Sequence, residues 1–357
     1  MRILTIVGAR PQFVKAAALS RALGKIEGIE ELIVHTGQHF DANMSEVFFK
    51  EMEIPTPAYN LNINSLGHGA MTGRMLEEIE KLIISEKPDM VLVYGDTNST
   101  IAGALAARKL HVKVGHVEAG LRSFNMAMPE EINRILTDRI SDHLFCPTDA
   151  AVKNLKAEGF DKMQCQIHRT GDVMQDAATY YAQFSADKCK IVNDLELDES
   201  FALVTIHRAE NTDDPAKLTS ILNALNEINS KMQVVCPIHP RTKKIIEKLG
   251  LKTNIMMIDP VGYFDMIELL KRASIVLTDS GGLQKEAFFF NNPCVTMRDQ
   301  TEWVELVENG FNEIAGADTD TILSAYNRMI KVRPDFKMDL YGKGHAANNI
   351  AELISKS

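Results

Sequence analysis

The sequence predicts an α/β protein built from two Rossmann-like domains, each with a doubly wound parallel sheet. Short apolar runs alternate with amphipathic segments along all 357 residues, and the alternation restarts after a polar stretch near residues 187–200. Strands that are apolar throughout indicate a sheet buried on both faces, and strand–helix alternation indicates right-handed βαβ units. A chain of this length is typical of about two domains. We place the first domain at residues 1–175 and the second at residues 176–344.

The hydrophobic pattern assigns each element in order. In the first domain, apolar runs predict strands at Ile3–Val7, Glu31–Thr36, Met90–Tyr94, Lys113–Val117 and His143–Cys146. Amphipathic segments predict helices at Gln12–Leu23, Glu46–Glu53, Met71–Ser85, Ser99–Lys109, Glu130–Ser141 and Ala150–Glu158. In the second domain, the predicted strands are Phe201–Ile206, Gln233–Cys236, Ile255–Ile258, Ile275–Thr278 and Cys294–Met297, with helices such as Ala216–Ser230 and Met266–Ala273 between them. A last helix, Ala346–Ile354, could pack on either domain.

The composition argues against several classes of protein. Hydrophobic residues make up 45% and charged residues 24% of the chain, as in ordinary globular proteins. The net charge of −9 argues against a nucleic-acid partner, which needs a basic face, although a few local cations suffice to bind one phosphate group. No apolar run approaches the roughly 20 residues that span a bilayer. We therefore expect a cytoplasmic protein without nucleic-acid or membrane partners.

The cysteines and histidines give little sign of a metal or redox site. The five cysteines are scattered without a C-x-x-C pair, so neither zinc nor a disulfide framework is indicated. His35 and His39 are four residues apart, but a metal site needs three or four converging ligands. Neither a Walker loop nor a G-x-G-x-x-G after a strand is present. We expect no metal and no cofactor.

Ionisable residues are concentrated where the predicted strands end. Ligands of open α/β sheets bind outside the carboxyl ends of the strands, so these residues are the candidates for chemistry. Asp149 and Asp214 are interpreted as helix caps or surface charges, but clusters at successive strand ends favour an enzyme over a binding module. The glycines after Ser280 either let a phosphate approach a helix N-terminus or form a turn capped by Ser280. The clusters begin at Gly8, Gly95, Glu118, Pro129, His207, His239, Asp279 and Arg298.

These segments resemble the motifs of the non-hydrolysing UDP-N-acetylglucosamine 2-epimerases. The resemblance implies a GT-B fold, in which two Rossmann-like domains face a cleft that binds the nucleotide. It also implies a homodimer and a C-terminal helix, residues 345–357, that returns to the first domain. The matching motifs run in the family's order as far as about Glu305, and they are Gly8-x-Arg10-Pro11-x-x-x-Lys15, Gly95-Asp96-Thr97, His116-Val117-Glu118-Ala119-Gly120-Leu121-Arg122, Pro129-Glu130-Glu131-x-Asn133-Arg134 and Thr278-Asp279-Ser280-Gly281-Gly282-x-Gln284.

The resemblance also implies roles for individual residues. The family's acid and base carboxylates correspond to Asp96, Glu118 and Glu130. The groups that hold the substrate and the leaving diphosphate correspond to Arg10, Lys15 and His207. The UDP-binding loop and its ribose contact correspond to Ser280, Gly281, Gly282 and Glu286.

The chemistry that the family implies explains these residue types. Family members eliminate UDP to give a 2-acetamidoglucal, and then add UDP back with carbon 2 protonated from the opposite face. The reaction needs a base on one face and an acid on the other, with pKa values brought near the working pH by burial and neighbouring carboxylates. It also needs cations and oriented N–H groups for the departing diphosphate. It requires neither a metal nor a redox cofactor.

Two other functions fit a UDP-binding cleft. A GT-B glycosyltransferase would share the fold, which by itself does not separate the two activities. The grouping of Asp96, Glu118 and Glu130 favours the epimerase, because a simple transferase needs only one base. A non-catalytic sensor of nucleotide sugars would not need these carboxylates at all.

One motif departs from the family pattern. The family's Thr-Glu-Arg-Pro-Glu reads Thr301-Glu302-Trp303-Val304-Glu305 here, so an indole replaces an Arg that helps hold the nucleotide. Trp303 either stacks on a base or sugar or packs within its own loop. This variant resembles the branch that acts on UDP-2,3-diacetamido-2,3-dideoxyglucuronate. The carboxylate of that substrate would pair with Arg122, Arg208 or Arg241.

Overall fold

The computed structural model describes residues 1–38, 55–189 and 191–357, with the backbone but not the side chain of Arg10. It divides into two compact units, one formed by Met1–Ala177 with Asp339–Ser357 and the other by Ala178–Met338. The predicted helix Glu46–Glu53 and the candidate metal ligand His39 lie outside the described residues. None of the described helices combines the length and the hydropathy that a membrane-spanning helix needs.

The first unit is built on a parallel sheet of seven strands among the described residues. The strands are β1 (Arg2–Val7), β2 (Glu30–His35), β3 (Tyr59–Asn60), β4 (Met90–Tyr94), β5 (Lys113–Val117), β6 (His143–Cys146) and β7 (Gln166–Arg169). Their order across the sheet is β3-β2-β1-β4-β5-β6-β7. The chain leaves β1 and β4 towards opposite edges, so the topological switch point, where such sheets bind ligands, lies between these two strands.

The helices of the first unit begin slightly before the predicted positions. They are α1 (Arg10–Leu23), α2 (His68–Glu86), α3 (Asn98–Lys109), α4 (Pro129–Ile140), α5 (Asp149–Ala157) and the start of α6 (Val173–Ala182). The polar first turn of a helix precedes its apolar periodicity, and α4 begins with a proline, which suits that position. Thr148 caps α5 by accepting the N–H of Ala151, and of the two alternatives for Asp149 the exposed surface charge is the one observed.

The second unit has a parallel sheet of six strands among the described residues. The strands are β8 (Phe201–Thr205), β9 (Gln233–Pro237), β10 (Met256–Ile258), β11 (Ile275–Thr278), β12 (Cys294–Thr296) and β13 (Asn312–Ile314), in the order β10-β9-β8-β11-β12-β13. The helices are α7 (Ser185–Lys188), α8 (Ile191–Asp194), α9 (Ala209–Thr212), α10 (Pro215–Asn229), α11 (Pro240–Leu249), α12 (Tyr263–Arg272), α13 (Gly281–Phe289), α14 (Val304–Glu308) and α15 (Thr319–Met329). Asp214 caps α10, as predicted, by accepting the N–H groups of Ala216 and Lys217. Here the switch point lies between β8 and β11.

Three strands were missed by the sequence prediction, and all three lie at a sheet edge. β3 and β7 are the two edges of the first sheet, and β13 is one edge of the second. Edge strands are covered on fewer sides than central ones, so a short edge strand such as β7, with the sequence Gln-Ile-His-Arg, needs no continuous apolar run. The central strands β4 and β11 are buried along their whole length, as their apolar sequences predict.

The chain ends with a helix in the first unit. This helix, α16 (Ala346–Ser355), packs against α1. Asp176 accepts the N–H groups of Ala346 and Ala347 at 3.1 and 2.8 Å, which satisfies two donors at the start of α16. Both units therefore have the predicted α/β architecture with a doubly wound parallel sheet.

Candidate active site

At the switch point of the first unit, Gln12 joins the ends of the two central strands. Its Oε1 accepts the N–H groups of Gly8 and Ala9 at 2.8 and 3.0 Å, and its Nε2 donates to the carbonyl of Tyr94 at 2.7 Å. This side chain is buried. In the sequence Gln12 stands out only as the first residue of a predicted helix, because an amide at this spacing reveals its partners only once β1 and β4 are known to be neighbours.

Lys15 and Glu118 form an ion pair directly beside Gly95. Lys15 lies on α1 and Glu118 follows β5, and both side chains are largely buried. A Cβ placed on Gly95 would lie 3.5 Å from Lys15 Nζ and 3.5 Å from Glu118 Oε2. The structure thus brings together two residues that are 103 positions apart in the sequence. An ammonium group and a carboxylate stand at the carboxyl ends of the central strands.

Asp96 follows Gly95 and pairs with Arg134 of α4. Its side chain is 30% exposed, so it remains open to a ligand. Burial raises the pKa of Asp96, but the charges of Arg134, Lys15 and His116 and the hydrogen bond from Arg134 lower it, and the net shift is downward. We expected a carboxylate with a pKa near the working pH. For Asp96 that expectation is wrong, because three cations surround it.

The two glutamates at the start of α4 have different surroundings. Glu130 is partly exposed on the first turn of the helix. Glu131 is buried, and its carboxylate accepts the N–H of Ser123 at 3.0 Å and that of Phe124 at 2.9 Å. Glu131 also pairs with Arg134. It is therefore a structural anchor for the loop after β5, whereas Glu130 is accessible.

Arg122 is not available to a substrate, and its predicted role as a binding residue is corrected. Its guanidinium is buried and pairs with Asp138 at 2.7 Å and with Glu158 at 2.7 Å. A further N–H of Arg122 donates to the carbonyl of Leu121 at 2.6 Å. A planar guanidinium with these partners joins α4 to the end of α5 and stabilises the loop after β5.

At the switch point of the second unit, Asp279 orients His207. The Asp279 carboxylate is fully buried and accepts the backbone N–H groups of His207 and Arg208, each at 3.0 Å. Its Oδ1 lies 3.2 Å from His207 Nδ1. Burial lowers the pKa of His207, Asp279 opposes this, and Arg208, His239 and Arg298 lower it further. The neutral ring therefore carries its hydrogen on Nδ1, as assigned from the Asp279 partner.

Ser280 immediately precedes α13, and this position fits both alternatives for the loop, a phosphate site or a capped turn. Its side chain accepts the N–H of Leu283 at 3.4 Å, so Ser280 is the N-cap of the helix. A Cβ on Gly281 would lie 2.2 Å from Glu302 Oε1, so the Glu302 carboxylate would have to move to make room for it. Gly282 has open space around its Cα by comparison, since the nearest atom to a Cβ there would be 3.9 Å away. Glu286 is buried on the second turn of α13.

Trp303 packs beside the loop that begins at Ser280, and its ring is not exposed to solvent. It is 3% exposed, and Lys285 Nζ lies 4.0 Å from the ring centroid in a cation–π contact. Its Nε1 would lie 3.6 Å from a Cβ on Gly281. Of the two alternatives for Trp303, packing within the loop is the one observed. The other alternative, stacking on a base or sugar, is not the one observed, because Lys285 covers that face of the ring.

Other candidates from the sequence are placed less favourably. The Arg10 side chain lies outside the description, and His35 is buried against Phe13, with ring centroids 5.0 Å apart. Arg241 pairs with Asp213 at the surface. Within the described residues, no group of three or more His, Cys, Asp or Glu side chains is arranged to hold a metal ion.

The comparisons with known proteins agree with the resemblance. The family model for UDP-N-acetylglucosamine 2-epimerase matches residues 21–355. A protein of Pseudomonas aeruginosa named UDP-2,3-diacetamido-2,3-dideoxy-D-glucuronate 2-epimerase is 58% identical over 357 residues, which covers 100% of both chains. A UDP-N-acetylglucosamine 2-epimerase of Escherichia coli is 34% identical and covers 100% of this chain and 99% of its own.

A solved structure matches the fold over the whole chain. It is the UDP-GlcNAc 2-epimerase of Methanocaldococcus jannaschii in complex with UDP-GlcNAc and UDP, with 41% identity, a TM-score of 0.91 and coverage of 100% of both chains. The predicted GT-B fold class is thereby confirmed, and the 58% identical relative supports the predicted branch. These relatives are named as epimerases and not as glycosyltransferases or sensors. With a family model matched over residues 21–355 and relatives aligned from end to end, the chain belongs to the UDP-N-acetylglucosamine 2-epimerase family.

Proposed function

We propose that this chain inverts carbon 2 of UDP-2,3-diacetamido-2,3-dideoxy-D-glucuronate by eliminating UDP and adding it back. The observation that carries this proposal is the set of charged groups around Gly95, where the Lys15–Glu118 and Arg134–Asp96 pairs stand at the carboxyl ends of neighbouring strands. The substrate is proposed from the 58% identical relative of that name and from the branch indicated by Trp303.

The chemistry needs such groups because carbon 2 has no adjacent carbonyl to acidify its hydrogen. In the elimination, a base takes the proton from carbon 2 while the anomeric C–O bond breaks and UDP leaves with the bonding electrons. In the return step, UDP adds to carbon 1 of the glucal and an acid protonates carbon 2 from the other face. Asp96, Glu118 and Glu130 supply the base and the acid. The lowered pKa of Asp96 keeps it ionised at neutral pH, which suits a base.

The leaving diphosphate needs positive charge and oriented donors. Lys15, His207 and the N-terminus of α13 at Ser280 supply these in the proposal, with Glu286 at the ribose and Arg10 assigned by resemblance. The pKa of His207 is lowered in the structure, and the negative charge of a bound diphosphate would raise it. His207 would then bind the diphosphate as an imidazolium. Its pKa would fall again once UDP is released from the site.

The carboxylate of the proposed substrate needs a cation that is free to meet it. Of the three predicted candidates, Arg122 is buried in ion pairs with Asp138 and Glu158, and Arg241 pairs with Asp213. Arg208 is partly exposed beside His207, so we assign the carboxylate to Arg208. Arg208→Gln should raise KM for the glucuronate substrate by about 10-fold or more and leave KM for UDP-N-acetylglucosamine nearly unchanged. An equal rise for both sugars would contradict this assignment.

Turnover in deuterated water tests the reaction itself. We expect NMR to show deuterium at carbon 2 of the product, and an isotope label in the anomeric oxygen to spread over the β-phosphate oxygens of UDP, because both bonds break. Epimerised product without deuterium at carbon 2 would exclude the elimination mechanism. Comparison of kcat/KM for the two UDP-sugars tests the substrate, and a clear preference for plain UDP-N-acetylglucosamine would contradict the proposed one.

We further propose that the enzyme is a cytoplasmic homodimer that feeds polysaccharide biosynthesis. The resemblance to the family supports the dimer, and so does an apolar surface at and before α4. Its exposed members are Phe124 (76%), Met126 (60%), Ile132 (40%) and Leu136 (49%). Ile132 and Leu136 are one helical turn apart and so lie on one side of α4. Exposed apolar residues grouped in this way are typical of protein interfaces.

A further inference from the structure

His116 is a fully buried residue that is hydrogen-bonded at both ring nitrogens. Its Nδ1 lies 2.7 Å from Asp138 Oδ1, and its Nε2 lies 2.7 Å from the carbonyl oxygen of Gly95. A carbonyl oxygen only accepts, so Nε2 carries a hydrogen. The other oxygen of Asp138 accepts from Arg122 at 2.7 Å and from the N–H of Gly120 at 3.2 Å, which is the pattern of an ionised carboxylate. Nδ1 therefore also donates, and the ring is an imidazolium.

This ring joins α4 to the turn that carries Asp96. Asp138, Arg134 and Glu131 are spaced by four and three residues, and all three are buried, so they form one inward face of α4. Arg134 contacts the Asp96 carboxylate, while His116 contacts the carbonyl of Gly95, the preceding residue. Gly95 has a positive φ of 63°, so its carbonyl direction depends on this turn being held. The inward face of α4 therefore contacts Asp96 directly through Arg134, and it supports the preceding residue, Gly95, through Asp138 and His116.

We propose that His116, oriented by Asp138, is a positioning residue for this reaction, because it fixes the Gly95–Asp96 turn and so places the Asp96 carboxylate for proton transfer at carbon 2. This inference rests on the proposed function, in which Asp96 meets the substrate. His116 itself is buried and hydrogen-bonded on both sides, so it acts through Asp96 and not on the sugar.

His116 also adds charge behind the carboxylate. The groups that act on Asp96 are Arg134 from α4, Lys15 from α1 and His116 from β5, with Glu118 next to Lys15. Burial raises the pKa of Asp96, and these three cations lower it. Removal of the His116 charge therefore raises the pKa of Asp96. If ionised Asp96 is the active form, activity is lost as the pH falls through that pKa, so the acid limb of the rate profile moves to higher pH.

Two substitutions separate the hydrogen bond from the charge. Gln reaches the position of Nε2, so His116→Gln keeps a donor for Gly95 and removes the charge. Asn reaches only the position of Nδ1, so His116→Asn keeps a donor for Asp138 and loses both the Gly95 contact and the charge. His143, a buried histidine at the start of β6, provides the matched control His143→Asn. Asp138→Asn provides a second route to the same network if His116→Asn does not fold.

The experiment measures kcat and KM between pH 5 and 9, the rate of deuterium uptake at carbon 2, UDP binding and the melting temperature. In His116→Asn we expect kcat and deuterium uptake to fall by about 10- to 100-fold, as for a misplaced reacting group. KM and UDP affinity should stay within about 2-fold, since the UDP loop is not altered. Both His116 variants should shift the acid limb of kcat upward, with His116→Gln keeping more of kcat. His143→Asn should change neither kcat nor the pH profile.

The outcomes distinguish this inference from the proposed function. If Asp96→Asn is inactive while His116→Asn, or Asp138→Asn in its place, has wild-type kcat and an unshifted acid limb, His116 has no positioning role. If Asp96→Asn itself is fully active, the proposed role of Asp96 is wrong, whatever His116 does. A fall in kcat with an unshifted acid limb in both His116 variants would also overturn the inference, because a merely structural loss would behave in that way.

Discussion

Glu118 has a backbone conformation that glutamate rarely adopts, with φ of 73°. A side chain in this left-handed region costs about 1–2 kcal/mol, and such strain persists mainly where the surrounding structure imposes it. Here the N–H groups of Glu118 and Ala119 both donate to the carbonyl of Phe145, at 3.0 and 3.1 Å, which holds the turn after β5. The strained turn directs the Glu118 carboxylate to Lys15. Glycine would suit the backbone better, so the carboxylate is the reason for a glutamate at this position.

The three candidate carboxylates should each be needed for turnover. Replacement of Asp96, Glu118 or Glu130 by its amide should lower kcat by about two to four orders of magnitude, as for the loss of a general acid or base. UDP affinity, measured by calorimetry, should change little, because the proposed UDP loop lies in the other unit. Loss of UDP binding in Asp96→Asn with proportionate residual turnover would show that this role is misassigned.

Glu131 should stabilise the fold in a way that depends on pH. Burial raises its pKa, but the N–H groups of Ser123 and Phe124 and the charge of Arg134 lower it overall. A lowered pKa means that the stabilisation is complete above the unfolded value of about 4.3 and is lost as the pH falls through the folded value. Glu131→Gln should therefore cost about 3 kcal/mol in the free energy of unfolding at pH 7, and less below pH ~4.

Chemical denaturation at several pH values checks this expectation. The exposed Glu77 on α2 supplies the control, because Glu77→Gln removes only a surface pair with Lys81 and should cost less than about 1 kcal/mol. A loss for Glu131→Gln that is the same at pH 3.5 and pH 7 would mean that ionisation of Glu131 does not contribute.

At the scale of elements, two segments that are distant in sequence meet at glycines. Gly171, between β7 and α6, has φ of 95°, and a Cβ there would lie 2.5 Å from the carbonyl oxygen of Tyr341. The N–H of Asp172 donates to that same oxygen at 2.8 Å. Gly342 lies against Gly171 in turn. The segment before α16 therefore packs on backbone that only glycine leaves room for.

Gly171→Ala should destabilise the first unit by more than backbone strain alone. Gly159 is the matched control, with φ of 81° and no atom of the described residues within 4 Å of an added Cβ. Gly159→Ala should cost about 1 kcal/mol through φ alone, and Gly171→Ala should cost roughly 2 kcal/mol more because backbone must move. Thermal unfolding of both variants measures the difference. Equal losses would mean that the Tyr341 contact adapts freely.

At the scale of the whole molecule, the exposed apolar residues of α4 and its preceding loop are the surface through which we propose that the dimer forms. The same helix carries Glu130 on its first turn, and its side formed by Glu131, Arg134 and Asp138 is buried. Its opposite, exposed side is therefore the one that a second copy of the chain would cover in the proposed dimer. Burial of several large apolar side chains would contribute about 1.5–3 kcal/mol for each one fully covered. The proposed dimer would thus support the helix that positions Asp96.

If the proposed dimer forms through this surface, Leu136→Asp should convert it to a monomer. A charge at the centre of an apolar contact costs several kcal/mol unless it finds a partner. Leu249→Asp on α11 of the second unit, where Leu249 is similarly exposed, should leave the dimer intact. Sedimentation of both variants decides, and a Leu136→Asp protein that remains dimeric would move the interface elsewhere.

Much of this protein is determined by local sequence patterns. Apolar runs define the central strands, because a strand buried on both faces has little room for polar residues. Amphipathic segments define most helices to within a few residues, and the motifs after the strands place Asp96, Glu118, His207 and Ser280 at the sheet ends. Short edge strands such as β7 were missed, because a half-covered strand carries no such pattern.

Only the tertiary structure decided what the charged side chains do. Arg122 and Lys15 are both predicted binding cations in the sequence, yet the fold pairs Arg122 with Asp138 and Glu158 and pairs Lys15 with Glu118 beside Gly95. Trp303 is covered by Lys285, and His116 is enclosed by partners 21 and 22 residues away. The reason is physical: a strand or helix pattern depends on which side of a local element is buried, whereas an ion pair depends on distances between atoms that are far apart in the chain.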